Sequence, residues 1–232
     1  MRTDMIARGR ASGRPPAPIL SAARLVRAMI VAAVAAAAAP ALAQEATPGV
    51  KRVTTLVEMR QRNVIIQKWD LSCGAAALAT LLQFQHGLPV TERDIAASML
   101  GGTDSRLVQA RMGFSLLDMK RFVDALGLEG TGYGEMTLAD LAGMTPAIVP
   151  IRVSSSFSHF VVVRGIVGDR VVLADPAFGN RTLPVSRFEG VWENKVAFVI
   201  ERRDGLAPPN RLTAGPDDYR VPAGAVLRRA AG

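Results

Sequence analysis

One cysteine, two histidines and a short list of carboxylates and amides are the parts of this 232-residue chain that can do covalent chemistry. Cys73, followed by Gly74, leads into a strongly helix-forming run, Ala75 to Leu82, with Asp70 and Ser72 as N-cap candidates. A sulfur at the first turn of a helix meets free N–H groups and partial positive charge, which favour a thiolate and therefore a nucleophile. A lone cysteine is more often a small buried core residue. Chemistry is favoured here because Cys73 has no intrachain disulfide partner, the chain carries an export signature, and catalytic partners occur downstream.

Acyl transfer by cysteine needs an imidazole to activate the sulfur and protonate the leaving group, a group to orient that imidazole, and donors for the oxyanion. His159 opens an apolar run, Phe160 to Val163, where a polar residue at the rim of a sheet can reach a cleft; a satisfied structural histidine is the alternative. Asp175 closes the next strand before Pro176 and is either the orienting group or a turn cap. Gln67, six residues before the cysteine, is a candidate oxyanion donor beside the Cys73 backbone N–H, or else a solvated loop residue. His86, next to Gly87, reads as a C-terminal helix cap rather than a catalytic group. One cysteine and two histidines without ligand spacing argue against a metal site, and no cofactor motif is present.

Pairing His159 with Asp175 makes a geometric demand. A two-residue loop at Gly168 and Asp169 puts Asp175 opposite Val162, on the wrong face for His159. A three-residue loop, Val167 to Asp169, puts it opposite Val161, two along from His159 on the same face, at a diagonal separation of roughly 7–8 Å. The odd loop, or an equivalent bulge, is therefore predicted.

The elements that must hold these groups come in two halves. Helices are expected from Cys73 to Gln85, from Thr91 to Leu100 behind a capping box of Thr91 and Asp94, from Ser115 to Leu126, and over Thr137 to Leu141. The stretch from Arg106 to Gly113 is ambiguous. Strands are expected at Pro146 to Ile151, Phe160 to Ile166, Val171 to Leu173 and Val196 to Ile200. Helices first and antiparallel strands afterwards make an α+β domain with the helices on one face of the sheet. Gly127 to Met136 and Ser154 to Ser158 are expected as loops at the cleft rim.

Composition, with 49% hydrophobic and 21% charged residues, suits one well-buried domain over residues 62–202. Residues 1–43 read as a secretory signal peptide: a basic region, the apolar run Ala28 to Ala39, and a cleavage site after Ala43. That run is too short for a membrane span, which takes about 20 apolar residues. Residues 44–61 read as a linker or edge strand and 203–232 as a flexible tail. Six arginines and one aspartate precede the apolar run, so +5 of the formal +8 belongs to that region and +3 remains. Without a clustered basic stripe, and with 5% aromatic residues, a nucleic-acid surface is not supported. A periplasmic or secreted location is expected.

Taken together the motifs resemble the peptidase C39 family, papain-like cysteine peptidases that remove double-glycine leaders from exported peptides. The matching pieces are Gln67 with Asp70 to Leu78, Gly113 to Lys120, Pro146 to Pro150, His159 to Val163, and Ala174 to Pro176, in the family's order. The resemblance implies a papain-like fold, with Cys73 as nucleophile, His159 as general base and acid, Asp175 as orienting group and Gln67 as oxyanion donor. The best-known members head ABC exporters, but this sequence has neither six membrane spans nor a Gly-x-x-x-x-Gly-Lys-Ser/Thr phosphate loop. It is more similar to stand-alone exported members, some of which accompany the secretion of fibre-forming or amyloid proteins, so ATP is not expected to be required. The implied partner is a peptide or protein substrate, fibre-forming or leader-bearing. An acyltransferase using the same residues and a non-enzymatic binding module of a secretion system are the alternatives.

Overall fold

The computed structural model describes residues 54–155, 157–215 and 218. The expected signal peptide and the first part of the expected linker lie outside the described residues. Where residues 44–61 are described they differ from a linker: α1 (Leu56–Gln61) starts at a capping box of Thr55 and Glu58, a helical start that its few apolar residues did not advertise. Five further helices and a strand follow before the central sheet: α2 (Cys73–Phe84), α3 (Glu92–Gly101), α4 (Ser105–Ala110), α5 (Leu116–Ala125), β1 (Leu128–Tyr133) and α6 (Leu138–Gly143). Then come β2 (Ala147–Arg152), β3 (Ser158–Val167), β4 (Arg170–Asp175), β5 (Gly179–Pro184), α7 (Val185–Val191), a 3-10 turn (Glu193–Lys195) and β6 (Ala197–Arg202). Capping boxes also start α3, α5 and α6, each with a Ser or Thr hydroxyl accepting from the third helical N–H and an aspartate reaching back. No helix among the described residues is long and apolar enough to cross a membrane.

The strands form one sheet in the order β1-β6-β2-β3-β4-β5, with antiparallel neighbours. The first core lies between the N-terminal helices and one face, where Leu78, Leu82, Ile95 and Met119 pack with Ile148, Val162, Ala174 and Phe198. Every residue of α2 from Cys73 to Leu82 is buried, and its alanines let the helix lie close against the sheet. The second core covers the opposite face, where Leu141, Phe188 and Trp192 pack on Val149, Val161, Val163 and Leu173. Two buried faces explain why β3 reads as an unbroken apolar run instead of an alternation. β1 and β5 escaped the sequence reading because they are the two edge strands and carry few apolar residues. In β1, Gly130 leaves the space in which the Phe198 ring sits; a Cβ there would be 2.6 Å from it.

The first part of the expected flexible tail is packed. Leu212 is fully buried in the first core, and Arg211 donates to the carbonyls of Phe84 and Gln83 at 2.7 and 3.0 Å, closing the C-terminal end of α2. A single leucine and backbone hydrogen bonds leave no periodic apolar signature, so composition alone suggested disorder.

The β3–β4 hairpin turns on two residues, Gly168 and Asp169, since Val167 pairs with Arg170. The register then shifts between Val163 and Gly165, leaving Arg164 as the extra residue of a bulge. Val163 pairs with Leu173 and Val162 with Ala174, so Asp175 comes opposite Val161. The predicted loop is thus not the odd one; its stated equivalent, a bulge, restores the register.

Candidate active site

The cysteine, the second histidine and the aspartate come to one place by three routes. Cys73 is the first residue of α2 and is 4% exposed. Ser72 occupies the N-cap position, but its hydroxyl makes no cap bond; it lies 2.7 Å from the Trp69 carbonyl and 2.6 Å from the Glu92 carboxylate. Asp70 is exposed and does not cap the helix. Glu92, at the start of α3 and 5% exposed, also accepts from the Lys68 N–H at 3.0 Å, so its buried carboxylate ties down both ends of the loop that delivers the sulfur. The first turn of α2 lies flush with the start of β3: a Cβ on Gly74 would sit 3.4 Å from Phe160, the neighbour of His159.

His159 is 5% exposed, and its Nε2 lies 2.7 Å from Asp175 Oδ1. That leaves Nδ1 as the ring nitrogen available to the Cys73 side chain, which interacts with the ring electrostatically. Burial opposes a charge on the ring, but the bonds and charges of Asp175 and Cys73 outweigh it and raise His159 to about 9. Asp175 is fully buried. Burial pushes its carboxyl up, yet the His159 bond and charge, the Ala177 N–H at 2.9 Å and the charge of Arg181 bring it below the ordinary aspartate value.

Gln67 is tied in through its backbone, its N–H donating to the Pro176 carbonyl at 2.9 Å, one residue beyond Asp175. Its side chain is not aimed as the sequence suggested: Nε2 donates to the Trp69 carbonyl at 3.2 Å, and Oε1 is buried without a hydrogen-bond partner among the described residues. His86 is not part of the constellation. It is buried, 4% exposed, just past the C-terminal end of α2, where its backbone N–H donates to the Leu81 carbonyl at 3.2 Å and its ring nitrogens have no hydrogen-bond partner among the described residues.

A cleft of about 550 Å³ opens beside Cys73, walled by Met112 to Leu116 on one side and by Pro150, Ser158, Phe160 and Glu193 on the other. Ser158, immediately before His159, donates to Glu193. Of the two segments expected at the rim, the second contributes Ser158; residues 127–136 do not line the cleft, because β1 lies at the far edge of the sheet. Asn194, which lines the cleft, and Lys195 both have φ of 50°, an unusual pair for residues with side chains. Arg181, Glu92 and Glu193 were missed by sequence reasoning, since a charged residue on an edge strand or at a helix start normally signals only a solvated face. No cluster of His, Cys, Asp or Glu suited to a metal ion occurs among the described residues.

Comparison with known proteins shows the family. The family model described as "Peptidase C39 family" matches residues 61–204. A Pseudomonas aeruginosa protein described as "Probable functional amyloid protease FapD" is 37% identical over 170 residues, covering 71% of this chain and 74% of that one. The Pseudomonas fluorescens protein of the same description is also 37% identical, over 171 residues with the same shares. The solved peptidase domain of Streptococcus ComA, a bi-functional ABC transporter, aligns with 60% of this chain and 98% of its own at a TM-score of 0.51 and 22% identity, a likeness of fold. The family match spans from before Gln67 to beyond β6, and the chain belongs to the peptidase C39 family of cysteine peptidases.

Proposed function

We propose that the chain is an exported peptidase that cleaves a secreted, fibre-forming or leader-bearing polypeptide through a Cys73–His159–Asp175 triad and a Cys73 acyl-enzyme. The observation that carries it is the 2.7 Å bond from His159 Nε2 to a fully buried Asp175, which leaves Nδ1 to the sulfur at the start of α2. Cys73 Sγ attacks the scissile carbonyl carbon, and the C–N bond breaks as the His159 imidazolium gives its proton to the leaving amine. Water then attacks the thioester, passes a proton to His159 Nδ1, and Sγ leaves as thiolate. The Cys73 N–H and the Gln67 amide serve the oxyanion, the latter once its Nε2 turns from the Trp69 carbonyl.

Export rests on the signal-like basic and apolar segments before Ala43. A secreted, fibre-forming substrate is supported by the amyloid-protease description of the Pseudomonas relatives. An apolar hollow of about 410 Å³, lined by Trp69 to Ser72, Leu100, Val108 and Phe114, flanks the nucleophile loop and suits an apolar stretch of such a chain.

The test is the pH dependence of Cys73 alkylation in wild type and in His159→Ala. Wild type should react well below the ordinary thiol range of about 8.5, and the substitution should abolish that acid-side reactivity. Ordinary thiol behaviour in both proteins would sink the triad.

A further inference from the structure

Asp175 has two oxygens, and the triad accounts for one of them. Oδ1 takes His159 and the Ala177 N–H, whereas Oδ2 takes Arg181, whose Nε and Nη2 both lie 2.7 Å away. The backbone arranges this meeting. Asp175 pairs with Gly179, which offers no side chain, and Arg181, two residues on in β5, leans along the sheet into the place opposite the carboxylate. Gly179 is required there because its φ is +79° and a Cβ would come within 2.3 Å of the Arg60 carbonyl of α1. The guanidinium also rests on the Phe178 ring, 5.4 Å from its centroid, which limits where it can swing.

The charge balance over a catalytic cycle gives Arg181 a task. A fully buried carboxylate is costly unless a cation and hydrogen bonds accompany it. His159 supplies the cation only while it is an imidazolium; once its proton has gone to the leaving amine, Asp175 faces a neutral ring in a dry site. Arg181 cannot lose its proton and bridges that interval. We propose that Arg181 is a positioning residue of this peptidase, a permanent cation that keeps Asp175 ionised and fixed in orientation in both protonation states of His159. It acts through Asp175 and does not touch substrate.

This inference rests on the triad reading, and one experiment separates their failures. The rate of Cys73 alkylation is followed from pH 4 to 10 in wild type, His159→Ala, Arg181→Met, Arg181→Lys and Arg181→Ala, with thermal unfolding recorded for each. Arg181→Met preserves length and packing on Phe178 but removes the charge. Its acid limb should move up by about one unit or more, a loss of about tenfold in rate below that limb, because Asp175 then takes up a proton at higher pH. Arg181→Lys, which keeps the cation without the two-pronged contact, should fall between the two, and free guanidinium ion should restore reactivity to Arg181→Ala but not to His159→Ala. A purely structural role for Arg181 would lower the unfolding temperature and leave the pH profile in place. A folded Arg181→Met, or Arg181→Gln should the former not fold, with a profile superimposable on wild type overturns the proposal while leaving the triad intact. If wild type itself lacks acid-side reactivity that depends on His159, both fall together.

Discussion

The two histidines are buried to a similar degree and are driven in opposite directions. At His159 burial disfavours the charge, but Asp175 and Cys73 more than compensate and raise it to about 9. At His86 burial lowers the pKa, the Ile200 backbone tempers this without reaching hydrogen-bond geometry, and the nearby positive Arg202 adds to the depression. A group raised on folding stabilises the fold fully below its unfolded value, about 6.5, and loses that contribution as pH rises through about 9. A depressed histidine does the reverse: its contribution is present above about 6.5 and is lost as pH falls and the buried ring must be charged. With two histidines in the sequence, proton NMR of the ring resonances resolves both. One titration near pH 9 should vanish in His159→Ala, and one displaced to the acid side of 6.5 should vanish in His86→Gln. A His86 curve at or above the ordinary value would contradict the account of its burial.

At the scale of elements, the site depends on how a loop and a hairpin are held. The loop from Gln67 to Ser72 is anchored by Glu92, which accepts from Lys68 and lies against Ser72. Glu92→Ala should therefore cost about 1–3 kcal/mol by stranding those partners, seen as a lower urea midpoint, and should slow Cys73 alkylation while α2 remains helical. Unchanged stability and rate would show that the loop holds itself. The hairpin shows how far sequence could reach. Parity along the β3 and β4 residues was enough to require an odd offset between His159 and Asp175, because a one-residue slip exchanges the faces of a strand. Parity could not say whether the offset lay in the turn or in the strand. The structure puts it at Arg164, whose side chain is held by the Leu212 and Thr213 carbonyls and by Asp218, residues 48 to 54 positions away. Local pattern carries no information about such partners. The same reason hid Arg181 and Glu92, whereas Cys73, His159 and Asp175 were legible from residue type, flanking pattern and order. Gln67 was legible as a position, but the direction of its amide was not.

Across the whole molecule, α2 is held at both ends by segments remote in sequence. Glu92 secures the loop before Cys73, and the stretch from Asn210 to Thr213 closes the other end, where Arg211 and Asn210 N–H groups bond the Phe84 and Gln85 carbonyls at 2.7 and 3.0 Å. That stretch also inserts Leu212, fully buried, into the core beneath the helix and supplies acceptors to Arg164, itself 8% exposed. A chain ending at Asp204 would lose the leucine, worth about 1.5–3 kcal/mol as buried apolar surface, and would leave the Arg164 charge with Asn180 as its remaining described partner. A buried charge that loses its partners costs up to about 3–5 kcal/mol, an upper bound here because the same deletion opens Arg164 to water. The two contributions can be separated, because Arg164→Met removes the charge while filling similar volume. In the full chain that substitution breaks the bonds to Leu212, Thr213 and Asp218 and should destabilise; in the shortened chain it should stabilise. Urea unfolding of the four proteins therefore forms a double-mutant cycle whose coupling should reverse the sign of the Arg164→Met effect. If the shortened chain unfolds at the same urea concentration as the full one, the tail is an appendage. If it is weaker but Arg164→Met fails to recover stability, apolar burial by Leu212, not the arginine, is what joins the tail to the peptidase fold.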